Sequence, residues 1–162
     1  MVKIGVDSSG HVRNPPIWII ATRRSGKKGQ ITHSIYISIQ KHNELEKSCK
    51  NWYETISAIL IYKVVTPIFY DGDAIVIDTD FQGLENHIMK YMQSLFQQTY
   101  PRKPLMANPN IFFIPKKHSP EVKDAHIKSQ RLRHKKVSIT TKDPSFNKEF
   151  EMLGLSPSTS GT

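Results

Sequence analysis

The chain has 162 residues and a formal charge of +9, with 23 Lys+Arg against 14 Asp+Glu, and 38% of its residues are hydrophobic. That length suits one domain with a substantial core, and this hydrophobic content excludes a mostly disordered chain. The single cysteine, Cys49, excludes an intramolecular disulfide framework and a cysteine-based zinc site; no apolar run reaches membrane-span length and Met1–Gly10 lacks a signal-peptide layout, so an intracellular, cytoplasmic protein is expected, with no membrane partner.

Lys3–Asp7 (KIGVD) is a short apolar run ending at Ser8-Ser9-Gly10, which predicts a strand and a turn. After Pro15-Pro16, Ile17–Thr22 (IWIIAT) predicts a second strand, and Arg23–Gln30 a basic hairpin turn. Ile31–Ile39 alternates, with isoleucines and His33 on one side and Thr32, Ser34, Tyr36 and Ser38 on the other, as a third, antiparallel strand would. Asn43, three residues before Glu46, reads as a helix N-cap with a capping-box partner. Leu45, Cys49, Trp52, Ile56, Ile59 and Leu60 extend that helix to about Val64, and Pro67 stops it. Asp73–Asp78 (DAIVID) reads as a central buried strand. Leu84, Ile88, Met92, Leu95 and Phe96 form the stripe of a second helix, and Ile111–Ile114 (IFFI) predicts another buried strand. Ser119-Pro120-Glu121 starts a last helix running to about His134. The predicted fold is α/β: a mixed five-stranded sheet, three strands in an antiparallel meander followed by alternating helices and strands. The domain is expected over 1–142, with 143–162 a polar, partly disordered extension that frays at Ser156–Thr162.

The positive charge points to an acidic partner, with nucleic acid the commonest. It is unevenly placed. Residues 1–50 carry nine basic and three acidic side chains, residues 51–110 four and six, and residues 111–162 ten and five. Arg23, Arg24, Lys27 and Lys28 on the hairpin, with Lys128, Arg131 and Lys135 on the last helix, are the candidate phosphate contacts. Trp18 and Tyr36 are candidate base-stacking rings. Within the acidic middle third, Asp71-Gly72-Asp73 has the composition of a polar turn. Asp7 and Asp78 each close an apolar strand at its carboxyl end, the edge of an open α/β sheet where ligands bind. Asp124 sits in the second turn of the last helix, at the border between its packing side and its basic side. Three carboxylates converging from two strand ends and a helix would suit two divalent ions for phosphodiester displacement, with Mg2+ or Mn2+ matching the oxygen ligands. Asp80 competes with Asp78, and His118 and His126 bracket Asp124 as candidate proton carriers.

This order of elements, with aspartates at Asp7, Asp78 and Asp124, resembles the ribonuclease H-like superfamily. Ile4-Gly5-Val6-Asp7-Ser8-Ser9-Gly10, followed by an apolar second strand, is similar to the opening of type 2 ribonucleases H, and Lys123-Asp124-Ala125-His126 to the superfamily's last motif. The resemblance covers roughly Val2–Lys136 and implies a metal-dependent nuclease acting on RNA:DNA hybrid or structured DNA, with Asp7, Asp78 and Asp124 as catalytic metal ligands. Ser8 stands where type 2 enzymes carry glutamate; Glu46 is then the candidate fourth carboxylate, with Glu44 and Glu54 also near. Two other functions remain open: a nucleic-acid-binding module of the same fold without catalysis, and a basic protein-interaction domain.

Overall fold

The computed structural model describes residues 2–9, 16–24, 30–79, 83–131 and 139–155. Strands β1 (Lys3–Ser9), β2 (Ile17–Arg24) and β3 (Gln30–Ile37) form the antiparallel meander. Helices α1 (Ile39–Glu46) and α2 (Trp52–Val65) lead to β4 (Ala74–Ile77), which pairs parallel with β1. Helix α3 (Glu85–Thr99) and the short α4 (Pro104–Ala107) precede β5 (Ile111–Phe113), parallel to β4. Helix α5 (Pro120–Arg131) is followed by β6 (Ile139–Lys142) and α6 (Asn147–Met152). The sheet is mixed and has six strands in the order β5-β4-β1-β2-β3-β6.

Six strands correct the expected five. The added one, β6, pairs parallel with β3 from His33–Ile139 to Tyr36–Lys142. Its sequence, ITTK, holds one aliphatic residue, and backbone pairing rather than an apolar pattern holds it at the edge. The chain beyond Lys142 joins the core: Phe146 and Phe150, four residues apart, are buried with the α2 layer, and Glu149 pairs with Lys63 at 2.5 Å. Ser156–Thr162 lie outside the described residues.

The expected helix from Asn43 to Val64 is two helices. The N-cap of α1 is Ser38, whose hydroxyl accepts a hydrogen bond from the Lys41 amide at 3.1 Å, and Asn43 lies within the helix. The early start ends β3 at Ile37 and leaves Ile39 exposed on α1. Lys47–Asn51 turns the chain between the helices, with Asn51 in the left-handed region at φ 54°; asparagine is among the few residues that visit it routinely. Ser38 also anchors the far end of the chain, its amide donating to Asp143 Oδ1 at 2.7 Å. Ser38→Ala should lower stability by about 1 kcal/mol through loss of the cap, read as a lower urea midpoint with unchanged slope.

Helix α2 is buried nearly all round, between the sheet and α3. One face of the sheet (Ile4, Val6, Ile17, Ile19, Ile35, Ile37, Ile75, Ile77) packs with Ile56, Ile59 and Leu60 of α2 and Ile88, Met92, Leu95 and Phe96 of α3. The stripe expected for α3 is thus the observed one. The opposite face carries α5, which lies across β1 and β2 with Val122 and Ala125 fully buried. β5 is an edge strand, not a buried one, and Phe112 is 43% exposed. Among the described residues no helix is long and apolar enough to cross a membrane.

Candidate active site

Gly5 decides how close α5 comes to the sheet. A Cβ at this position would stand 2.1 Å from the carbonyl oxygen of Glu121 and 2.7 Å from the amide nitrogen of Val122. Only glycine admits the helix backbone here. Alternate residues of a strand share a face, so Asp7, two residues on from Gly5, also points toward α5.

Strand pairing brings the second carboxylate beside it. Val6 is aligned with Ile77, and the Asp78 amide donates to the Val6 carbonyl at 3.1 Å, which carries the parallel ladder one residue past β4. Asp7 and Asp78 are therefore cross-strand neighbours at the carboxyl edge of the parallel strands. They are 3% and 6% exposed. Asp78 Oδ1 accepts from the Thr79 amide at 2.8 Å, which orients its carboxylate. Burial pushes the Asp7 carboxyl up from 3.8 to about 6; a hydrogen bond with His126 pulls it down, and Asp78 raises it again through a shared hydrogen bond and through its charge. Two neighbouring carboxylates out of water resist double ionisation until a cation joins them.

Helix α5 delivers His126 to this pair, with Nδ1 3.0 Å from Asp7 Oδ2. Asp124 goes elsewhere. At 100° per residue, side chains two apart on a helix face nearly opposite directions, so His126 over Asp7 turns Asp124 away. Its carboxylate is bound by Arg24, Nε at 2.6 Å and Nη2 at 3.0 Å. Arg24 is 63% exposed, and Asp124 raises its guanidinium's basicity still further. Among the described residues no three His, Cys, Asp or Glu side chains stand together as a metal-holding group. What the fold assembles from them is a buried carboxylate pair with a histidine against one member.

The remaining candidates separate clearly. Arg23 points to the α2 side of the sheet, where it forms a largely buried ion pair with Asp73 at 3.0 and 3.2 Å and stacks over Tyr70 at 4.6 Å. Asp73 also accepts from the Tyr70 amide at 2.8 Å, so the Asp71–Asp73 turn is tied to β2. Glu46 is exposed at the end of α1, whose Leu45 joins the α2-side core, away from Asp7. Lys128 is half-buried on α5 and Arg131 closes that helix. Trp18 and Tyr36 pack on each other across β2 and β3, ring centroids 4.7 Å apart, on the α5 side. Asp80, Lys27, Lys28 and Lys135 lie outside the described residues.

The role of Gly5 is the functional feature that sequence reasoning missed; a glycine inside an apolar strand was the available signal. Comparison with protein-family models, with curated proteins and with solved structures finds no match for this chain.

Proposed function

We propose that the protein is a divalent-metal-dependent nuclease of ribonuclease H-like fold. The observation that carries this reading is the placement of Asp7 and Asp78 side by side, buried, at the carboxyl edge of two parallel strands within a sheet ordered β5-β4-β1-β2-β3-β6. Magnesium suits such a pair, because it binds through one or two carboxylates and fills its other positions with water and substrate phosphate. Manganese accepts the same donors. Asp7 and Asp78 would hold the ion, which supplies an activated water and neutralises charge building on the phosphate. His126, oriented by its bond to Asp7 and partly open to solvent, carries protons between the site and water. Arg24, exposed on β2 beside α5, would exchange its bond to Asp124 for the phosphate backbone next to the carboxylates.

One observation favours a second reading. Asp124 is engaged by Arg24 and Ser8 replaces an expected glutamate, which leaves two carboxylates at the site among the described residues and fits a binding module without catalysis. Cleavage of labelled RNA:DNA hybrid and of branched DNA in magnesium or manganese separates the two. The nuclease cuts at least one of these substrates, and Asp78→Asn does not. Cutting that persists in Asp78→Asn would remove the proposed site. Tight binding without cutting by the wild type selects the module.

A further inference from the structure

The carboxyl edge that presents Asp78 also carries the connection from β5 to α5. The Ile114 amide still donates to the Ile77 carbonyl at 2.9 Å, so β5 runs alongside β4 to this edge before the chain leaves it through Pro115. A single 3-10 turn, Lys116–His118, follows, and Ser119 then caps α5, its hydroxyl accepting from the Val122 amide at 3.3 Å. Lys116, Lys117 and His118 are all exposed, and neither lysine forms an ion pair with any described residue. Cations here contrast with Arg23 and Arg24, both of which already hold a carboxylate.

Phe112 adds a different chemistry to the same corner. It is aligned with Val76, which is aligned with Gly5, so its ring stands on the α5 side of the sheet, the side of Asp7 and Asp78. One strand over and two residues back from Asp78, its Cα is roughly 8 Å from that of Asp78 by ordinary strand spacings. Helix α5 covers β1 and β2 but leaves β5 open, and the ring remains 43% exposed. An exposed aromatic ring, four and five residues before two exposed lysines that pair with no described carboxylate, combines the base-stacking surface and phosphate cations that single-stranded nucleic acid requires.

We infer that Phe112, Lys116 and Lys117 form a single-strand contact at the entrance to the carboxylate pair, an unpaired base stacking on Phe112 while the two lysines take the neighbouring phosphates. It rests on the nuclease reading of Asp7 and Asp78 and assigns that site a substrate with unpaired nucleotides next to the cut. A continuous duplex, with its bases stacked inside, offers the ring nothing.

Fluorescence anisotropy with a labelled single-stranded DNA oligonucleotide and with its duplex, without metal and over a range of salt, tests this. Replacing both lysines (K116A with K117A) should weaken single-strand binding about tenfold and reduce the salt slope by about 1.4, the share of two phosphates. Phe112→Leu should weaken single-strand binding about five- to tenfold and leave duplex binding unchanged, whereas Phe112→Trp, which keeps a ring, retains wild-type affinity. Affinity and salt slope unchanged in the double-lysine variant, or equal losses on single strand and duplex in Phe112→Leu, would overturn the contact. So would a wild-type protein that binds neither probe. The two readings fail separately. Wild-type affinity in the lysine variant, with cleavage still dependent on Asp78, removes the contact and keeps the nuclease. Weakened binding in that variant, with no cleavage in either metal, does the reverse.

Discussion

Asp7→Asn should slow the proposed metal-dependent cleavage by about a hundred- to a thousandfold, the usual scale for removing one preorganised electrostatic group from an active site, and should at the same time make the protein more stable at neutral pH. The second effect follows from the raised Asp7 carboxyl. Its value of about 6 in the folded state against 3.8 for the free group means that the native state binds the extra proton between those limits. Stability therefore falls as pH rises through the window from about 4 to about 6 and stays reduced above it. The penalty is about 1–3 kcal/mol at pH 7 and above. Asparagine keeps the shape, still accepts a hydrogen bond from His126, and carries no charge to desolvate. Thermal melts of the metal-free protein at pH 5 and pH 7.5 should show the wild type losing stability between the two and Asp7→Asn losing less. Added manganese should raise the wild-type melting temperature at pH 7.5 and leave the variant unmoved. A variant less stable than wild type at pH 7.5 would contradict the cost assigned to burying the Asp7 charge beside Asp78.

Gly5→Ala should be among the most damaging small substitutions in the chain. The added methyl carbon meets main-chain atoms of Glu121 at 2.1 and 2.2 Å, and backbone cannot swing aside as a flexible side chain can. The strand or the helix has to move, and overpacking of this kind destabilises by about 3 kcal/mol. For a protein of this size that lowers the melting temperature by roughly 6–12 °C. The displacement also pulls His126 away from Asp7, so residual activity in folded Gly5→Ala should fall beyond what the loss of stability explains. A melting temperature within about 2 °C of wild type would show that α5 is not seated on Gly5.

The two aspartates of the pair are legible in the sequence because each ends an apolar run, although β1 continues through Ser8 and Ser9, paired with β2, where a turn is expected; strand polarity then places both at one edge. Their common side-chain face comes from register, which alternation along β1 and β4 supplies only once the pairing Val6–Ile77 is known. Asp124 and His126 show the limit of the helical wheel. The wheel separates them by about 200°, yet which of the two faces the sheet depends on where Gly5 lets α5 settle. The partners of Arg23 and Arg24 were hidden for a related reason. Adjacent residues on a strand point to opposite faces, so one arginine meets Asp73 and the other Asp124, fifty and a hundred residues away. Local chemistry misled at Asn43, where a capping-box spacing competed with the real cap at Ser38. It was silent at β6, whose residues earn their place through pairing with β3.

That pairing has a consequence in time. Ile139 lies about a hundred residues after β3 is complete, so on a ribosome adding 5–20 residues per second the outer edge of β3 waits roughly 5–20 s for its neighbour. During that interval β3 is an open strand with unpaired amides and carbonyls, the kind of edge that recruits other chains. Thr32, Ser34 and Tyr36 on one side of β3, and His33 among the isoleucines on the other, make the waiting edge less adhesive than an all-aliphatic strand.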